Sequence, residues 1–146
     1  MWIENNNEEF SRKENWFMIM ALDIAKESNC NRKKVWCILM KDNLIVSTWF
    51  NWVARNEPDC QETWCNKESS DWCFTIHAEV NAVINAARLW ISTLWTTAFV
   101  TLKPCSECIR ILINAWIEKI FYKYDWEKYE HWHNIEANDY LEVNKM

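Results

Sequence analysis

The chain has 146 residues, half of them apolar and a quarter charged, with a formal charge of −5 and a pI near 5.2. That length supports one domain, residues 1–146, with a buried core, and the acidic balance argues against a nucleic-acid binder, which normally carries a basic face. No early stretch reads as a secretory signal, and no apolar run reaches the roughly 18 residues needed to span a bilayer.

Seven cysteines is an odd count, and two of them stand in a metal-type spacing, which predicts a reducing, cytoplasmic setting. There is no glycine and there are twelve tryptophans, although average usage predicts about ten glycines in a chain this long. Trp90 follows the helical run ending Ala86-Ala87-Arg88-Leu89, and Trp116 follows Ile113-Asn114-Ala115. Both are helix C′ positions, where the left-handed conformation is common and glycine adopts it without a Cβ penalty. The pattern predicts that many of these tryptophans replace ancestral glycines, through recoding, design or a translation-table convention. A tryptophan forced into such a position costs roughly 1–2 kcal/mol.

In chain order, residues 1–10 are polar and acidic and read as a frayed terminus. Ser11 to Glu14 fits a capping box. Beyond it Trp16, Met20 and Ile24, with Phe17, Ala21 and Ala25, keep helical spacing to about Glu27, predicting a core-facing amphipathic helix. A polar, basic connector, Ser28 to Lys34, leads to two β-rich runs, Val35–Met40 and Leu44–Thr48, around a hairpin turn at Lys41-Asp42-Asn43. Residues 51–71 form a long irregular stretch with Cys60 and Cys65, and Cys73 just beyond; three cysteines there read either as ligands of a second, structural zinc or as unpaired thiols. Ile76–Leu89 is helical by spacing, Thr97–Leu102 is β-rich, and Pro104 opens a helix through Ala115. Ile117–Tyr122 is a further strand, and from Asp125 the chain is polar with aromatics, His131 and His133 reading as surface residues. A βαβα alternation with an antiparallel start predicts an α/β sandwich around a mixed sheet.

Two short runs carry the chemistry: His77-Ala78-Glu79 and Pro104-Cys105-Ser106-Glu107-Cys108. His-x-Glu followed by Pro-Cys-x-x-Cys is the signature of zinc nucleobase deaminases. One imidazole and two thiolates make a three-ligand set for a catalytic Zn2+, leaving its fourth position to water. Glu79, two residues from His77, is placed to carry protons without occupying the metal. Taken alone, Cys-x-x-Cys at a helix start also suits a redox pair or half of a structural zinc knuckle; joined to the upstream His-x-Glu, the deaminase reading prevails. Asn81 is read as orienting the helix start.

These motifs resemble the cytidine deaminase superfamily and, within it, the deoxycytidylate (dCMP) deaminase family, over about residues 14–124. His77-Ala78-Glu79-Val80-Asn81-Ala82 is similar to the family's HAExNA segment, and Thr101 to Cys108 to its strand-to-PCxxC segment. Cys30-Asn31-Arg32, Phe50-Asn51 and the cysteine-bearing insert are similar to its substrate-side region. Family members usually carry glycine where this chain has Trp36, Trp49 and Trp52, and some carry Tyr-Arg where this chain has Trp126-Glu127.

The resemblance implies a three-layer α/β/α sandwich around a mixed five-stranded sheet. It implies His77, Cys105 and Cys108 as zinc ligands, Glu79 as proton shuttle, Asn51 at the sugar and Arg32 at the 5′-phosphate, where a planar guanidinium binds oxygens in pairs. The expected reaction is hydrolysis of dCMP to dUMP and ammonia, supplying dTMP synthesis, in a homo-oligomer open to dCTP and dTTP as effectors. Alternatives are a cytidine or tRNA adenosine deaminase of the same fold, or a catalytically inactive zinc-fold subunit.

Overall fold

The structure, a computed structural model, describes residues 12–62, 75–125 and 142–146. Helix α1 (Arg12–Ile24) runs into a short 3-10 turn (Ala25–Glu27). Strands β1 (Trp36–Lys41) and β2 (Leu44–Phe50) follow, then α2 (Ala78–Arg88), β3 (Thr96–Leu102), α3 (Ser106–Asn114), β4 (Ile117–Tyr124) and β5 (Glu142–Lys145). The sheet order is β2-β1-β3-β4-β5. β1 pairs antiparallel with β2 and with β3, whereas β3, β4 and β5 run parallel. This is the expected mixed five-stranded sheet.

Period-two alternation of the strands divides the core between the sheet's two faces. Cys37 and Leu39 of β1, Ala98 and Val100 of β3 and Ile120 of β4 pack with Ala78 and Ala82 of α2 and Ile109 and Leu112 of α3. Their neighbours Trp36, Ile38, Phe99 and Phe121 face the other way, against Met18, Ala21 and Ala25. One helix on one face and two on the other make three layers.

The hairpin turn sits at Asp42 and Asn43, with φ of 50° and 64°. Two successive residues at positive φ match the twist of a two-residue hairpin, and Asp and Asn tolerate that region better than most side chains. The first helix keeps one of its two expected rows in the core and turns the other partly outward. Trp16 is 61% exposed and Met20 38%, so of the expected 16/20/24 row only Ile24 packs on the core; the buried stripe runs through Met18 and the expected Ala21 and Ala25. Both rows keep helical spacing, and the sheet's aromatic face, with Phe17 tilted on Phe99 at 5.5 Å, selects the second.

Pro104 precedes α3 by two residues instead of opening it, and Cys105 is the N-cap. Ile76 is likewise outside α2, held in a bridge with Trp52. Strand β5 was not anticipated from the polar composition after Asp125; its backbone pairs in parallel with β4. Residues 1–10, Ser11 of the capping box, Cys65, Cys73, Trp126, His131 and His133 lie outside the described residues.

Phe99→Ala should destabilise the fold by about 3–5 kcal/mol, as a large ring leaves a full core. Trp16→Ala should cost no more than about 0.5 kcal/mol, as for other surface changes. Urea unfolding of both variants checks the contrast.

Candidate metal centre

The two motifs meet because each forms the start of a helix on the same face of the sheet. His77 is the N-cap of α2, with φ −61° and ψ 149°. Its carbonyl accepts the N–H of Asn81 at 3.0 Å, the helix's first bond. Cys105 caps α3 in the same extended conformation, φ −71° and ψ 167°. Its Sγ accepts the N–H of Cys108 at 3.5 Å. A sulfur thus fills the role that serine or aspartate oxygen usually fills at an N-cap, and Cys-x-x-Cys becomes a cap paired with the third helical residue.

The convergence is tight. His77 Nδ1 lies 3.2 Å from Cys108 Sγ and 3.6 Å from Cys105 Sγ. The three donor atoms fall within 4.8 Å of one another, and they are the group of metal-ligating side chains found among the described residues. Zinc–nitrogen and zinc–sulfur bonds of about 2.0 and 2.3 Å at a tetrahedral angle give an N···S edge of roughly 3.5 Å. The observed pair of distances brackets that value.

The charge state of the cluster also suits a cation. Cys105's thiol is drawn down to about 4, first by the hydrogen bond from Cys108, then by those from His77 and the Cys108 backbone, against a burial penalty. Cys108 is pushed up because it donates to that sulfur and is buried. His77 is raised, chiefly by its hydrogen bond with Cys105. Donors that share protons among themselves are the donors a divalent cation occupies by displacing those protons. One imidazole and two sulfurs fit zinc better than magnesium or calcium, which prefer oxygen.

Glu79 is 4% exposed. Burial is the largest influence on it and lifts its carboxyl to about 7, with His77 pulling the other way and Cys105 adding to the rise. A carboxyl near neutrality beside a metal-type cluster is suited to accepting and returning a proton. Cys37, fully buried in β1, faces the same region; its thiol is pushed up by burial and then by Glu79. Sequence reasoning gave Cys37 no role, since nothing but strand alternation marks it.

The other expected residues lie on the adjoining connector. Asn51 Oδ1 accepts from Ser28 Oγ at 2.8 Å and from the Val35 N–H at 2.9 Å, and its Nδ2 donates to Lys33 O at 2.8 Å. The residue is 6% exposed, so its amide clasps the 28–35 segment to the end of β2. Two backbone bonds between Trp52 and Ile76, of 3.1 and 2.7 Å, carry that clasp to the residue before His77. Asn81 adds a tie from its Nδ2 to Phe50 O at 3.1 Å, as its expected orienting part requires. Arg32 is half-buried within the clasped connector and contributes no atom to the three-donor cluster. Cys60 is buried on the facing loop, whose carbonyl there accepts from Asn31 Nδ2 at 2.6 Å.

A mixed sheet between one helix and two, with His and paired Cys converging from two helix starts, defines the cytidine deaminase-like class of α/β/α proteins. The model of the cytidine and deoxycytidylate deaminase zinc-binding region matches residues 11–124, and the chain belongs to that family. A deoxycytidylate deaminase of Schizosaccharomyces pombe is 31% identical over 117 residues, 75% of this chain and 36% of its own length. One from Mycobacterium phage D29 is 27% identical over 120 residues, 73% of this chain and 91% of its own. The solved structure of a cyanophage S-TIM5 dCMP deaminase with dCMP and dUMP superposes with a TM-score of 0.76 at 24% identity, covering 95% of this chain and all of that one. The chain spans less than two thirds of the length of several curated relatives.

Cys108→Ser should remove one zinc per chain relative to the parent protein, measured by elemental analysis after gel filtration. Taking the difference keeps the result independent of any metal held elsewhere.

Proposed function

We propose that the protein is a zinc-dependent hydrolase that converts dCMP to dUMP and ammonia, with His77, Cys105 and Cys108 as the metal ligands. The observation that carries this reading is the buried Glu79 carboxyl beside a His/Cys/Cys cluster. Zinc in that cluster supplies Lewis acidity that makes water nucleophilic at neutral pH and stabilises negative charge on oxygen. Glu79 takes the proton from the attacking water and delivers it to N3 of the cytosine ring as C4 becomes tetrahedral. The same carboxyl then assists protonation of the C4 amine, which leaves as ammonia while the C4 carbonyl forms. Water adds oxygen and ammonia departs, so the ring changes without any oxidant.

The nucleotide contacts are proposed on the connector. Asn51 uses one amide hydrogen on Lys33 O, which leaves the other to meet the sugar, and its carbonyl oxygen holds the connector in place. Arg32 takes the 5′-phosphate, whose oxygens its planar guanidinium is shaped to bind in pairs. The similarity to deoxycytidylate deaminases supports the deoxynucleotide over a free nucleoside, and the acidic net charge weighs against a tRNA substrate. A cytoplasmic homo-oligomer that supplies dTMP synthesis and responds to dCTP and dTTP completes the reading. No helix among the described residues is long and apolar enough to cross a membrane.

Two measurements test it. Ammonia release should be fastest with dCMP when dCMP, deoxycytidine, dCTP and adenosine-containing RNA are compared; a preference for RNA or free nucleoside overturns the substrate assignment. Glu79→Gln should lower kcat by at least about 10²–10⁴-fold while zinc content stays at the parent level. Near-normal turnover in that variant takes Glu79 out of the proton-carrying part.

A further inference from the structure

Six described residues have positive φ: Asp42, Asn43, Asn56, Trp90, Trp95 and Trp116. The first three are Asp and Asn, which reach the left-handed region through short polar side chains. The other three are tryptophans, whose bulk has no such compensation. Their angles of 58°, 61° and 58° are nearly identical, so turns at three separate points of the chain take the same backbone state.

The hydrogen bonds explain why the turns demand it. At the end of α2 the Trp90 N–H donates to Ala87 O at 3.2 Å and the Ile91 N–H to Ala86 O at 2.9 Å. That is a Schellman pair with position 90 at C′, the site where glycine is the usual occupant. At the end of α3 the Trp116 N–H donates to Ile113 O at 3.0 Å, and Trp116 O accepts the N–H of Trp95 at 2.9 Å. Positions 95 and 116 therefore couple two left-handed turns across the starts of β3 and β4. The rings gain little in return: Trp90 is 96% exposed, Trp95 59% and Trp116 58%.

A fourth tryptophan is misplaced in the opposite sense. Trp36 is 5% exposed in the core, yet its indole Nε1 is buried with no hydrogen-bond partner among the described residues. Buried donors without partners are rare, because desolvation is uncompensated. Glycine removes both faults, the Cβ at positive φ and the orphaned N–H, and glycine is the residue this chain lacks altogether.

We infer that the codon rendered as tryptophan in this gene is decoded as glycine in its own cell, so that the working protein carries glycine at positions 36, 90, 95 and 116 and wherever else that codon stands. The consequence reaches the metal centre. Position 52 is bridged through its backbone to Ile76, the residue before His77. Glycine at 49 and 52 leaves bare backbone on both sides of Phe50-Asn51, where indoles now flank the Phe50 ring at 4.9 Å on each side.

Peptide mass spectrometry of the protein purified from its native source decides the matter and does not depend on activity. Glycine at 90, 95 and 116 is expected; tryptophan at any of the three overturns the inference. A second test uses recombinant protein with the tryptophans in place. Trp90→Gly, Trp95→Gly and Trp116→Gly together should raise the melting midpoint by at least about 5 °C, whereas the same three positions changed to alanine should give much less, since alanine keeps the Cβ. Equal gains from alanine and glycine would mean that exposed indole bulk, not backbone conformation, is the fault, and would remove the structural ground for the inference.

Discussion

The structure depends on one meeting: the N-terminal ends of two helices brought within bonding reach of a single point. α2 and α3 lie on the same face of the sheet and share a core through Ala78, Ala82, Ile109 and Leu112. That packing sets the distance between His77 and the cysteine pair, because each of the three residues sits at its helix's cap or in its first turn. Burying those small and aliphatic side chains is what brings the two helix starts, and with them the donors, together. Two helix N-termini also place partial positive charge where thiolates form, so the fold lowers the cost of holding sulfur in its anionic state before any metal arrives.

The buried carboxyl follows from the same arrangement. Glu79 is fixed by the first turn of α2, two residues after His77, and the turn carries it inward while the imidazole keeps one side toward solvent. A carboxylate buried there suffers desolvation, which outweighs the pull of His77 and lifts its protonation to near neutrality. Loss of solvent thus becomes proton affinity of a useful size. The Asn51 clasp performs a different service: it joins the 28–35 connector, the end of β2 and, through Trp52 and Ile76, the start of α2. The segment proposed to hold the nucleotide is thereby tied to the segment that carries the His77 end of the metal-type cluster.

Much of this was legible in the amino-acid order because spacing alone encodes it. His77, Glu79, Cys105 and Cys108 fall at helix starts, where i and i+3 relations fix geometry without knowledge of the rest of the chain. The β-rich runs Val35–Met40 and Thr97–Leu102 marked two of the strands, whereas which of their residues face which helices came only from the fold. The orientation of α1 was legible only in part: Phe17, Ala21 and Ala25 pack inward as expected, but Trp16 and Met20 keep the same helical spacing and only the fold shows that they face outward. Strand β5 was hidden because it is four residues long and sends one apolar side chain, Val143, onto the core from an otherwise polar run. The positions of Pro104 and Ile76 differed by a residue or two, as helix ends commonly do when a cap residue lies between loop and helix. The amide partners of Asn51 come from 16 to 23 residues away in sequence, and no local pattern announces them.

The central claim is that His77, Cys105 and Cys108 share one metal whose remaining position is open beside Glu79. A crystal structure with anomalous data collected at the zinc absorption edge tests it most directly. The account predicts a zinc peak bonded to His77 Nδ1 and to both sulfurs, with water as the fourth ligand on the Glu79 side. A peak absent from that point, or a fourth protein side chain closing the tetrahedron, would contradict it.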